Sequence, residues 1–212
     1  MPKKDGLRER KKEATRAALS QIATQLFMER GFDYVTVAEI AEAANVAKMT
    51  VFNYFPRKED LFFDREEEGR ELARTALAER PHGEPPVATL GGLARRLVEA
   101  RHPFAKFNAG TAQFWGTVSA SPALTARARE MRDEFIRDLA EMMAATLSRP
   151  KYDPPAHLAA AMFISAWHVG SVEAYRQLRI GAKAQKIHDA FLEVLNLGLR
   201  GITAALKGTP YV

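Results

Sequence analysis

The chain has no cysteine, which excludes disulfides, thiolate metal centres and thiol redox sensing. Its five histidines (82, 102, 157, 168 and 188) form no H-x-x-x-H or H-E pair, so no metal site is read from them. His157 and His168 share a helix face, where a buried structural role is the simpler reading. A phosphate loop, a nucleophile elbow and a convincing carboxylate pair are missing as well. No catalytic residue and no cofactor is therefore assigned, and a helical enzyme is the weakest reading. A long apolar run is also lacking. The longest stretch without a charged residue, Pro154 to Val172, holds two histidines, two serines and a double proline. It reads as a buried helix, because a membrane span needs about 20 predominantly apolar residues. The polar, charged amino terminus lacks the basic, apolar and small-residue order of a signal peptide. The expectation is a cytoplasmic protein without membrane association.

What is present is an ordinary hydrophobic share, 47 % of 212 residues, enough for one large domain or two small ones. The net charge of +5 is unevenly placed. Residues 1–58 hold 11 Lys/Arg against 7 Asp/Glu, whereas the remainder holds 20 against 19. Lys3, Lys4, Arg8, Arg10, Lys11 and Lys12 supply much of the excess. Such a cluster is either a solvated tail or an electrostatic footprint for phosphate.

The chain carries no strand pattern, no repeat and no low-complexity segment, so an all-α fold is predicted. Residues 1–8 are expected to be disordered. A helix from about Glu9 to Arg30 follows, with Leu19, Ile22, Ala23, Leu26 and Phe27 as its apolar stripe and Gly31 as its stop. Lys58 to Arg80 reads as one long helix, about 34 Å at 1.5 Å per residue, before the linker Pro81–Pro86. Helices are then expected over Val87–Arg101, Pro103–Ala120, from Pro122 to Arg149, Pro154–Arg179 and Ala184–Lys207. Ser121-Pro122 and Asp153-Pro154 look like caps followed by a first-turn proline. The domains read as 1–58, a connecting helix 59–80, and 81–212.

The most specific stretch is Thr36 to Asp60. Thr36-Val-Ala-Glu39 is a capping box, in which hydroxyl and carboxylate satisfy each other's backbone donors at a helix start. Val37, Ile40, Ala41 and Ala44 form one apolar stripe. Asn45 tolerates the left-handed backbone of a sharp turn. A second short helix should run from Ala47 to Tyr54, with Val46, Val51 and Phe55 inward and Pro56 closing it. Two short helices about a tight turn make a helix-turn-helix, whose second helix can enter the DNA major groove. Lys48, Met49, Thr50 and Asn53 are the outward positions. Lys48 can donate to guanine, Asn53 can pair with adenine, and Met49 or Thr50 can touch a thymine methyl. Arg57 adds a cation beside them.

The order T-V-A-E-I-A-x-x-x-x-V-x-x-x-T-V-F-x-Y-F-x-x-K-E-D-L resembles the signature of the tetracycline-repressor (TetR) family of one-component transcription regulators, over roughly Ala14 to Phe63. The resemblance implies that Thr36, Tyr54 and Lys58 contact phosphates. Thr36 is alternatively only a structural cap, and Tyr54 only core packing. Many members of the family carry serine where this chain has Ala47 and Arg57, so the second helix lacks a side-chain cap, at a cost of about 1 kcal/mol.

One short helix reads few base pairs, so two copies on a palindromic operator are expected. The helix Pro154–Arg179 is apolar nearly all round and asks for burial on both faces. Paired with the last helix against a second copy it would form a four-helix bundle, as the resemblance also implies. Phe191, Leu195, Leu199 and Ile202 are the interface candidates, with intrachain core as the alternative. The resemblance further implies a cavity for a small hydrophobic or amphipathic effector. Phe104, Phe107, Phe114, Trp115, Met142, Phe163, Trp167 and His168 are its candidate lining, unless they simply fill the core. The predicted function is a ligand-released repressor acting as a homodimer on double-stranded DNA. The alternative is a DNA-architectural protein without an effector.

Overall fold

A computed structural model describes residues 4–212, apart from the side chains of Lys4, Asp5, Leu7 and Glu9. The described residues are all-α, with no strand among them. The helices are α1 (Lys4–Arg30), α2 (Val37–Ala43), α3 (Lys48–Tyr54), α4 (Glu66–Ala78), α5 (Pro86–Glu99), α6 (Ala109–Ala120), α7 (Pro122–Ala145), α8 (Pro154–Arg179) and α9 (Ala184–Ala205). They form two compact units. One holds the chain up to Glu66 together with Gln113–Ala128; the other holds Glu67–Ala112 and Arg129–Val212. The boundary expected at residue 58 thus falls inside the first unit.

In the amino-terminal unit Leu19, Ala23 and Phe27 of α1 are buried against Phe32, Val35, Ile40, Val51, Phe55, Leu61 and Phe62. Helices as short as α2 and α3 are not stable alone. Burial of Val51 and Phe55, at about 1.5–3 kcal/mol each, is what holds α3 in place. The segment Gln113–Ala128 completes this core: Val118 and Leu124 are buried in it, and the Phe114 ring stacks on Phe62 at 4.2 Å and 9°. Ser121 caps the start of α7, accepting from the Leu124 N–H at 3.4 Å and donating to Asp33 at 2.9 Å. Arg127 lies between two carboxylates, 3.0 Å from Asp60 and 3.4 Å from Glu66.

Three expectations are corrected. Helix α1 begins at Lys4, so residues 4–8 are ordered helix rather than disordered; residues 1–3 lie outside the described residues. The long rod over 58–80 is broken. Glu59–Leu61 form a 3-10 turn and α4 starts only at Glu66, because burial of Leu61 and Phe62 in the amino-terminal core bends the chain there. The helix expected over Pro103–Ala120 is likewise split. Asn108 Oδ1 accepts from the Thr111 N–H at 2.9 Å while Thr111 Oγ1 accepts from the Asn108 N–H at 3.0 Å, a reciprocal cap that starts α6 afresh.

In the carboxy-terminal unit α8 and α9 are the closest-packed pair. At Gly198 a Cβ would lie 2.3 Å from the Ala166 Cβ, so the crossing requires glycine there. Asp153 does not cap α8 with its side chain. Its buried carboxylate instead accepts from the Tyr211 hydroxyl at 2.5 Å, tying the end of the chain to the start of α8.

Candidate nucleic-acid interface

The turn between α2 and α3 is built from local chemistry. Thr36 Oγ1 accepts from the Glu39 N–H at 3.2 Å, and the Glu39 carboxylate accepts from the Thr36 N–H at 2.8 Å, the reciprocal capping box. Those bonds, led by the Thr36 N–H and then Arg30, hold the Glu39 carboxyl down at about 2. At the other end Asn45 adopts φ 51°. The Asn45 N–H donates to the Glu42 carbonyl and the Val46 N–H to that of Ala41, the pair of hydrogen bonds of a Schellman turn. Ala47 precedes α3 with no side-chain cap. Losing about 1 kcal/mol there is outweighed by the burial of Val51 and Phe55.

Helix α3 buries Val51 and Phe55 completely and turns Lys48, Met49, Phe52 and Asn53 to solvent. Thr50 and Tyr54 are half-buried at its flanks. The structure therefore brings Lys48, Met49 and Asn53 together on one face, as the spacing predicts. It adds Phe52, 38 % exposed, with the Lys48 ammonium 5.9 Å from its ring centre. Phe52 is missed in the sequence because an aromatic beside Val51 reads as core. Its position one turn after Lys48 is the signal that could have found it.

Arg16 is a second omission. Its Nη1 donates to the carbonyl of Tyr54 at 2.8 Å, and its guanidinium lies 4.3 Å over the Phe55 ring. Arg16 sits one turn before Leu19 and Ser20 on the buried stripe of α1, which is the sequence clue. The Tyr54 ring packs against the core cluster.

Lys58 departs from the phosphate-contacting role that the resemblance implies. Its ammonium donates to the Phe32 carbonyl at 2.5 Å and lies 4.1 Å over the Phe32 ring. Burial lowers its pKa, against the pull of Asp33, Glu59 and Glu39. Lys58 is thus a structural cation closing the corner after α1. Thr36 and Arg57 are exposed.

The proposed effector lining is scattered. Phe114 and Trp115 belong to the amino-terminal unit, where Phe114 is core and Trp115 is 45 % exposed. His168 points to solvent, since it lies on the face of α8 away from Phe163. Phe107 and Trp167 both pack on Phe191, with ring centres 5.1 and 5.0 Å away. Phe104 and Met142 are half-buried. A surface groove of about 280 Å³ lies in this unit, lined by Glu68, Leu72, Ala76, Leu93, Arg96 and neighbours. None of the predicted lining residues reaches it. The interface candidates are corrected too. Phe191, Leu195 and Ile202 are fully buried within their own chain, because that stripe of α9 covers α8 and α5. Leu199 is half-buried and directed at Gly91.

Among the described residues no group of three or more His, Asp or Glu side chains could hold a metal ion. Nor is any helix among the described residues long and apolar enough to cross a membrane.

Residues 21–64 match the family model for bacterial regulatory proteins, tetR family. Over 97 residues the chain is 36 % identical to the HTH-type transcriptional regulator TcmR of Streptomyces glaucescens, covering 46 % of this chain and 43 % of that protein. Over 43 residues it is 51 % identical to the HTH-type transcriptional regulator LuxR of Vibrio harveyi, covering 20 % and 21 %. The matches thus span less than half the length of these curated relatives. Among solved structures, NalD of Pseudomonas aeruginosa, the secondary repressor of the MexAB-OprM multidrug efflux pump, aligns with a TM-score of 0.56 at 20 % identity, covering 88 % of this chain and 97 % of that one. GusR of Salmonella enterica aligns with a TM-score of 0.53 at 19 % identity, covering 92 % and 96 %. At these identities the likeness is one of fold.

Proposed function

We propose that this chain, a TetR-family regulator by its amino-terminal domain, represses transcription by binding a palindromic operator as a homodimer and is released by a small hydrophobic or amphipathic effector. One observation carries the reading. A seven-residue helix, buried on one side, presents Lys48, Met49, Phe52 and Asn53 to solvent, in the arrangement a major-groove reader needs. Thr36 and Arg57, both exposed, are the phosphate contacts of this scheme, and the basic excess of residues 1–58 favours approach to DNA.

The second copy docks on the outward side of α8 and α9. Leu158, Val169 and Val172 on α8 are 47 %, 54 % and 54 % exposed, and Leu197 on α9 is 61 % exposed. An apolar face of this kind on two adjacent helices favours association. Isologous contact would place two copies of α3 on a two-fold axis, matching a palindrome. DNA as target puts the site of action in the cytoplasm.

The effector belongs to the carboxy-terminal unit. By linkage, operator and effector must weaken each other's binding by the same factor. The reading without an effector is favoured by one feature, the packing of Phe107 and Trp167 directly on Phe191, which is how rings fill a core. A genomic footprint followed by titration of small apolar compounds separates the two. A protected palindrome released by some compound supports the repressor; a footprint of no defined length sinks it.

A further inference from the structure

The outward face of α3 has an apolar centre. At about 100° per residue, Lys48, Phe52, Met49 and Asn53 follow one another around the helix over about 140°. The two central positions are therefore Phe52 and Met49, 38 % and 69 % exposed. Polar groups stand only at the two edges of the arc. The Lys48 ammonium lies 5.9 Å from the Phe52 ring centre, so the cation borders the apolar patch without covering it. Val51 and Phe55 already satisfy the core, and Phe52 and Met49 both keep an exposed apolar surface.

On the DNA side the choice is narrow. The floor of the major groove presents hydrogen-bonding groups at every base pair and one apolar group, the C5-methyl of thymine. We propose that Phe52, with Met49, is the specificity-determining contact of this protein, and that it reads thymine methyls at the centre of each operator half-site. Lys48 then faces a guanine on one side of those methyls and Asn53 an adenine on the other. Apolar contact sets the central preference, and the two polar residues set its flanks. The Phe52 ring carries no conventional hydrogen-bonding group, so the groove feature that matches it is the apolar thymine methyl.

This inference rests on the DNA-binding reading above, and the test keeps the two apart. The operator is first located by footprinting with the intact chain. Each thymine of the half-site is then replaced in turn by deoxyuridine, which keeps the base pair and removes only the methyl. The expected result is a loss of about four-fold per methyl removed at one or two central positions, the size of one buried methyl group, and little change elsewhere. Supplying the methyl differently, with 5-methylcytosine in a C·G pair at the same position, should recover part of the loss relative to cytosine. In Phe52→Ala operator binding should weaken and the deoxyuridine penalty should fall, leaving only what Met49 contributes. A wild-type footprint insensitive to every deoxyuridine overturns the methyl-reading proposal and leaves the DNA-binding reading intact. Absence of any footprint overturns both. The uridine series uses unaltered protein, so a variant that fails to fold does not blunt it.

Discussion

Arg16 and Tyr54, 38 positions apart, are joined by a 2.8 Å hydrogen bond from the guanidinium Nη1 to the main-chain carbonyl. That carbonyl is among the last of α3, where helix acceptors have no partner of their own. The same guanidinium rests on the Phe55 ring. The long first helix thus holds the reading helix by its carboxy-terminal end, which helps to explain how α3 persists with no side-chain cap at its start.

Arg16→Met keeps the stem and removes both interactions. Because Arg16 is exposed, the expected loss is modest, about 1 kcal/mol of stability. Operator affinity should fall with no change in preferred sequence, since the guanidinium positions α3 and reads no base. Urea denaturation and a selection of bound sequences check this together. A changed consensus, or unchanged stability and affinity, would contradict it.

Thr36→Ala breaks the capping box and should cost about 1 kcal/mol. The pH dependence follows from its partner. Glu39 is held at about 2 against an ordinary 4.5. A depressed carboxyl contributes stability that is present above its unfolded value and disappears as pH falls from there towards the folded value. Wild type should therefore lose stability between pH 4.5 and 2 more steeply than Glu39→Gln, as followed by circular dichroism. Parallel curves would show that the box contributes little.

Local chemistry made much of this region legible. The capping box, the left-handed Asn45 and the inward Val51 and Phe55 depend on neighbours within a few positions. The tasks of Arg16, Lys58 and Phe114 were not legible, because each is set by a partner far along the chain: Tyr54, Phe32 and Phe62. Periodicity likewise identified the apolar stripe of α9 without saying what covers it. Phe191 and Leu195 face their own chain, whereas Leu197, off that stripe, points outward. The stripe of α7 holds a further ambiguity. Leu124 serves one core and Leu139 the other, although both lie on a single helical pattern.

Lys58 and Arg57 are adjacent yet should behave oppositely. Arg57→Ala should reduce the salt dependence of operator binding by about one phosphate contact and weaken all sequences alike. Lys58→Met should leave the salt slope unchanged, because its ammonium is committed to Phe32. Binding isotherms at several salt concentrations decide the matter. Equal reductions in slope would return Lys58 to the phosphate backbone.

Tyr211→Phe removes the hydrogen bond to Asp153 and should destabilise by about 1 to 2 kcal/mol. Burial, then the Asp153 carboxylate, raises the Tyr211 hydroxyl from an ordinary 10.0 to about 12. A raised pKa means that its stabilisation is complete below pH 10 and is lost as pH climbs through 12. At the acid end the Tyr211 hydroxyl, followed by Arg149, lowers the Asp153 pKa. That contribution is present above the ordinary carboxyl value and disappears below it. The variant should flatten both limbs of the stability profile; an unchanged alkaline limb would exclude the coupling.

Two substitutions on neighbouring helices distinguish interface from core. Val172→Asp places a charge on the outward side of α8, where the native side chain is 54 % exposed. It should yield a folded monomer with normal helical content and sharply weakened operator binding, since a single α3 reads too few base pairs. Phe191→Asp buries a charge at a fully enclosed position and should instead unfold the carboxy-terminal unit. Light scattering with circular dichroism separates the two outcomes. If Val172→Asp remained a dimer, the outward face of α8 and α9 would not be the seam, and the spacing of the two reading helices would need another source.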